Sequence, residues 1–318
     1  MADLKQFARG VLMGGADIIP GVSGGTVALV LGIYARLVSA VSRFDSTALR
    51  LLFSRQFRSA AEHVDLRFLA ALGAGVLSGV VSLAATMRYL LQEHRGPTMA
   101  VFFGLILASS LMVARLVRAE SAADRMRAAL LGVAGAVFAY WVVGLDQLRF
   151  YDHPAYFFGC GSIAICAMIL PGISGAYILW LLGAYEAVTG LIGKARHFSM
   201  TGDDLLALVA FACGCAVGLL GFSKVLRVLL ERAYSTTLAV LGGFMVGSLR
   251  GLWPFQTLLN PEETEMKLRR YEPFMPSSLD REAAFAFGLM IVAAGALLLL
   301  DRVAGQRRKA GVDPPAST

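Results

Sequence analysis

Apolar positions along the chain fall into long blocks rather than the narrow stripe of a soluble amphipathic helix or the alternation of a half-buried strand. Blocks near 67–91, 97–117, 127–145, 204–230, 235–252 and 282–300 predict helices long enough to cross a bilayer. Two further blocks are interrupted. Pro20-Gly21-Val22-Ser23-Gly24-Gly25-Thr26 cuts the first, and Pro171-Gly172-Ile173-Ser174-Gly175-Ala176-Tyr177 cuts the second. Pro20 and Pro171 lack an amide hydrogen and the glycines are poor helix formers, so each motif predicts a break. The arm before the first break, 10–19, rises only about 15 Å as a helix, half the hydrocarbon thickness. It cannot cross alone. A re-entrant hairpin fits: in to mid-membrane, a turn at Pro-Gly, and back along 24–42. The second such arm pair occupies 156–193.

The two interruptions are copies of one another. Pro20, Gly21, Ser23, Gly24, Leu31, Gly32 and Tyr34 each match the residue 151 positions later. At a spacing of 139, Gly75, Gly79, Arg88 and Gly104 match Gly214, Gly218, Arg227 and Gly243. The chain therefore reads as one membrane domain over 1–318, with repeat 1 at about 8–146, repeat 2 at about 155–302, and a basic, disordered tail at 303–318. Three full spans in each half force the halves to be inverted. The fold class expected is an all-α polytopic membrane protein of two inverted repeats, each a re-entrant helical hairpin plus three transmembrane helices. Broken segments at corresponding places in two halves point to a transporter's binding site. The glycines four apart, Gly75/Gly79 and Gly214/Gly218, suit close helix packing.

Composition agrees: 57% hydrophobic and 16% charged residues exclude an ordinary soluble domain. The net charge of +7 reads as topology rather than as a nucleic-acid surface, because the basic residues are scattered among short loops. With re-entrant hairpins, the N-terminus, the amphiphilic loop 43–66, the link 115–127 and the tail all lie on one side, and each is net positive. Loops 146–154 and 250–281, close to neutral, lie on the other. If the broken segments crossed, the positive loops would be divided between the two faces. The positive-inside rule thus puts both termini in the cytoplasm. Cys160, Cys166, Cys213 and Cys215 sit in apolar runs and read as free thiols. The short basic N-terminus lacks a small-residue cleavage site and reads as retained.

Candidate chemistry gathers at the hairpin tips. A helix starting after Pro-Gly-x-Ser-Gly offers unpaired amides and the positive end of a dipole, an anion site. Gly21, Ser23, Gly24, Gly25 and Thr26 at one tip, with Gly172, Ser174 and Gly175 at the other, are the candidate phosphate-binding residues. Two helix ends supply together roughly one positive charge, short of the about −1.5 to −2 on a phosphate monoester. Arg88 and Arg227, repeat-matched in apolar helices, are the candidate supplements; the alternative is that they snorkel from helix ends. Lys224 lies one turn before Arg227, and Glu186 two turns beyond the second tip. Asp17, matched by Met168, could bind a coupling proton or sodium ion, orient an arginine, or cap the turn. The histidines lack ligand spacing, so neither a metal nor a cofactor is expected.

With Gly14-Gly15-Ala16-Asp17-Ile18-Ile19-Pro20-Gly21-Val22-Ser23-Gly24-Gly25-Thr26 and Met168-Ile169-Leu170-Pro171-Gly172-Ile173-Ser174-Gly175 in view, the chain resembles the bacterial DUF368 family over nearly its whole length. The resemblance implies an inner-membrane translocase, not an enzyme. It would return undecaprenyl phosphate from the outer to the inner leaflet for envelope polymer synthesis. Its partner is then a polyprenyl phosphate lipid. The residues alone leave two other classes open: a small-anion channel or exchanger using the same tips, and a lipid-phosphate phosphatase or transferase. The second signature ends Gly175-Ala176 where the first has Gly24-Gly25-Thr26, so the tips are expected to divide labour.

Overall fold

A computed structural model describes residues 2–18, 23–263 and 269–310. The first half runs α1 (Ala2–Asp17), α2 (Gly24–Val30), α3 (Tyr34–Ser42), α4 (Ser46–Phe53), α5 (Phe57–His63), α6 (Leu66–Glu93), α7 (Arg95–Leu116) and α8 (Ala122–Val142). The second half runs α9 (Pro154–Ile169), α10 (Gly175–Leu181), α11 (Tyr185–Arg196), α12 (Gly202–Arg232), α13 (Tyr234–Ser248) and α14 (Arg281–Ala310). A short antiparallel pair, β1 (Gln256–Leu258) with β2 (Tyr271–Pro273), lies in the last long loop. Five helices (α6, α7, α8, α12 and α14) are long and apolar enough to span a membrane, so the protein is multi-pass. The predicted span 235–252 is instead a 15-residue helix, α13, continued by a 3-10 turn over Leu249–Leu252.

The arms of the hairpins differ in detail from the apolar blocks. α1 starts at Ala2, so the helix takes in Lys5 and Arg9 ahead of the apolar block. The return arms are each cut again. α2 and α3 are bent by 119°, and α10 and α11 by 111°. The cut falls at Gly32 (φ +69°) and its repeat partner Gly183 (φ +70°), where glycine allows the left-handed backbone. Loop 43–66 holds two short helices, with Phe53 and Phe57 exposed between Arg50, Arg55 and Arg58, as suits a segment lying in the membrane interface. α14 continues through Ala310, past the expected start of the basic tail at 303, and 311–318 lie outside the described residues.

Helix starts are capped by local sequence. Thr201 and Asp204 form a capping box at the start of α12, and Ser121 caps α8. His153 caps α9 ahead of Pro154, where a missing amide hydrogen costs nothing. Packing repeats between the halves: α1 lies on α6 as α9 lies on α12. In lipid, apolar burial does not drive helix association, so backbone proximity must contribute. A Cβ on Gly75 would come 2.1 Å from the Phe7 carbonyl, and one on its partner Gly214 2.1 Å from the Phe158 carbonyl. The halves also interlock, since α8 packs on α13, α14 on α7 and α3 on α12. Met99, Leu238, Leu241, Met245 and Leu252 fill the shared centre.

Candidate functional site

The two tips meet. The Ser23 hydroxyl lies 3.2 Å from the Met168 carbonyl oxygen and 3.3 Å from that of Leu170, and donates into that pair. The Tyr34 hydroxyl donates to the Ile169 carbonyl at 3.1 Å. These carbonyls belong to the last turn of α9, where a helix has no acceptors' partners of its own. In return the Gly172 amide donates to Thr26 Oγ1 at 2.9 Å. Gly172 has φ +88°, and a Cβ there would stand 2.9 Å from the Phe244 carbonyl oxygen, so only glycine fits. Pro171 is fully buried beside it.

Among its described residues, the first tip is bonded by its own chain. Asp17 Oδ1 accepts from the Gly24 amide at 2.5 Å, and Ser23 Oγ accepts from the Gly25 amide at 3.1 Å. Ser23 and Thr26 are buried. The expectation of amides free for an anion at this tip is therefore corrected. The described amides of Gly24 and Gly25 are bonded within the tip, that of Gly172 is bonded to Thr26, and Asp17 acts as a cap. Gly24, Gly25 and Asp17 border a cavity of about 230 Å³, otherwise lined mainly by apolar side chains such as Leu37, Ile165 and Leu219. Gly175 packs against α9, where a Cβ would meet the Ala164 carbonyl at 2.8 Å. Pro20 and Gly21 lie outside the described residues.

The second tip is the open one. Gly172, Ile173 and Ser174 line a cavity of about 360 Å³, and Ser174 caps no helix amide. Arg95, Arg250, Arg269 and Arg270 line the same cavity, with Tyr177, Trp180 and Tyr271. The Arg95 guanidinium stacks 3.4 Å from the Tyr271 ring centre and donates to Gln256 Oε1 at 3.1 Å. Its Nη1 is buried without a hydrogen-bond partner. Arg250 donates to the Tyr140 carbonyl at 3.2 Å, and Arg270 lies 3.8 Å from Asp146. Four arginines face two carboxylates, Asp146 and Glu272, which leaves a positive excess of two.

Arg88 and Arg227 line neither cavity. Arg88 is exposed on α6, and Arg227 is half-buried, its Nε 3.7 Å from Glu231 and without a hydrogen-bond partner. Lys224 and Glu186 are exposed and also line neither. The arginines that do face Ser174 were hidden by averaging: loop 250–281 is close to neutral in total, and Arg95 sits in the short gap 92–96 between the expected spans. The available signal was the adjacent pair Arg269-Arg270 in a loop whose total charge is close to neutral.

No solved structure matches this chain. A Vibrio cholerae protein named polyprenyl-phosphate transporter is 35% identical over 310 residues, covering 95% of this chain and 97% of the relative. A Staphylococcus aureus protein of the same name is 29% identical over 258 residues, covering 78% of this chain and 86% of the relative. Residues 13–268 match a family model, and the chain belongs to that family, described as VCA0040-like, undecaprenyl phosphate translocase-like.

Proposed function

We propose that this chain carries a polyprenyl phosphate across the cytoplasmic membrane, from the outer to the inner leaflet, for recycling as a lipid carrier. The observation that carries the reading is the convergence of Arg95, Arg250, Arg269 and Arg270 over Ser174. Their excess of two positive charges matches the about −1.5 to −2 of a phosphate monoester. Desolvating that head is the main obstacle to crossing, and the prenyl tail needs no polar path. The tail stays in lipid while the head moves through protein.

The halves act as inverted repeats. α6 ends beside the start of α7 at Arg95, on the cavity side, whereas α12 ends at the start of α13, whose far end at Ser248 borders the cavity. α6 and α12 therefore run oppositely, and α1 and α9, which accompany them, enter from opposite faces. The face away from the cavity carries Arg115 at the end of α7, Arg118 in the link and Arg125 and Arg127 at the start of α8, which supports a cytoplasmic assignment with both termini there. The cavity then opens outward, toward the leaflet from which the carrier is collected. Thr26–Gly172 and Ser23–Leu170 close the centre beneath it, which favours alternating access over an open anion channel.

The test is exchange of labelled undecaprenyl phosphate between leaflets of liposomes holding the purified protein. Exchange well above empty vesicles is expected. Folded protein that gives none overturns the proposal.

A further inference from the structure

A third depression lies on the opposite half of the α8–α13 pair. It has a volume of about 660 Å³ and is walled by Leu111 of α7, Ala129 and Val133 of α8, and Leu238 and Val246 of α13, with Arg125 at its rim. The Arg125 side chain has no hydrogen bond or ion pair among the described residues. Its neighbour Asp124 is engaged with Ser121, whose hydroxyl donates to it at 2.6 Å. The rim therefore carries an arginine that no carboxylate pairs with among the described residues, and the floor is mainly apolar.

We propose that this groove is a binding site for an anionic phospholipid of the cytoplasmic leaflet, one acyl chain in the groove and the phosphodiester at Arg125. Length supports a lipid of one leaflet. From Arg125 to Ala136, both on the wall, α8 rises about 16 Å, close to half of a roughly 30 Å hydrocarbon core. Charge selects the head: on the topology proposed above, Arg125 and Arg127 at the start of α8, Arg118 in the link and Arg115 at the end of α7 share the face where anionic lipids attract basic residues. The groove shares no lining residue with the arginine cavity under Ser174, so the site does not depend on what the protein carries.

Native mass spectrometry of the purified full chain, titrated with phosphatidylglycerol or phosphatidylcholine, tests this. Phosphatidylglycerol is expected to bind the more tightly. Arg125→Gln should weaken phosphatidylglycerol about fivefold, the contribution of one basic side chain at an anionic surface, and leave phosphatidylcholine unchanged. Ala129→Trp, at an exposed position on the wall, should lower retention of both lipids. Equal binding of the two lipids by the wild type, or full retention by Ala129→Trp, overturns the site. Displacement of phosphatidylglycerol by equimolar undecaprenyl phosphate also overturns it, because the groove would then belong to the transported lipid.

Discussion

Replacing Arg95 by Met separates a role in binding from a role in holding the fold. The substitution keeps an unbranched apolar stem in place of the arginine's methylenes and removes the guanidinium with its charge. Two favourable contacts vanish: the stack on Tyr271 and the bond to Gln256. A half-buried cation–π contact is worth about 1 kcal/mol and a hydrogen bond from a charged group about 1.5 kcal/mol. Against this, the buried Nη1 has no partner, and removing such a group returns about 1–3 kcal/mol. The net change in stability is therefore within about 1.5 kcal/mol of zero, from terms of opposite sign. Binding has no such offset. Losing charge-assisted bonds to a phosphate costs about 1.5–3 kcal/mol, or roughly 10- to 150-fold in Kd.

The assay measures both quantities on one preparation. Thermal unfolding in nanodiscs reports stability, and titration with undecaprenyl phosphate reports Kd. Arg95→Lys keeps the charge but loses the planar fork, so its Kd should fall between those of the wild type and Arg95→Met. A Kd for Arg95→Met within threefold of wild type would refute the placement of the head group. So would a loss of affinity that tracks a comparable loss of stability, since that is the behaviour of a structural arginine.

Thr26→Val removes the acceptor of the buried Gly172 amide and should destabilise by about 1–2 kcal/mol in detergent unfolding, more than Thr26→Ser, which keeps it. Gly172→Ala forces a side chain into left-handed backbone against the Phe244 carbonyl and should cost about 2 kcal/mol or more, read as lost folded yield and a lower Tm. Asp17→Asn keeps an oxygen for the Gly24 amide and should leave Tm near wild type, whereas Asp17→Leu loses the cap and about 1 kcal/mol. Arg88→Gln and Arg227→Gln, remote from the arginine cavity, should leave the Kd for undecaprenyl phosphate unchanged.

What was legible along the chain was whatever a local pattern encodes. Long apolar runs mark α6, α7, α8, α12 and α14, and Pro-Gly inside such a run marks a broken one. The second cut in each return arm was written just as plainly, in Leu31-Gly32 and Leu182-Gly183, but an apolar run hides a bend that leaves its hydropathy unchanged. The arginine cavity was not legible. Its cations come from the start of α7, the end of α13 and the final loop, and only the tertiary fold brings 95, 250 and 270 together. Repeat matching drew attention to Arg88 and Arg227 instead. Duplication preserves residues at equivalent positions, and the cavity belongs to one half's tip alone.

That asymmetry follows from the one place where the two signatures differ in charge. Position 17 is a carboxylate, and its partner 168 is a methionine. At the first tip the carboxylate caps α2, and the Ser23 hydroxyl is turned away to the α9 carbonyls. At the second, no acid takes the equivalent place, and Ser174 is left facing the arginines. On the proposed reading a carboxylate there would cancel half of the excess charge that faces the phosphate, which fits the open tip being the one without it. The closed tip in turn gains from its acid, which satisfies the Gly24 amide at the start of α2. One duplicated motif thus yields a fixed wedge and a receptive floor, and the exchange of Asp for Met is enough to assign which is which.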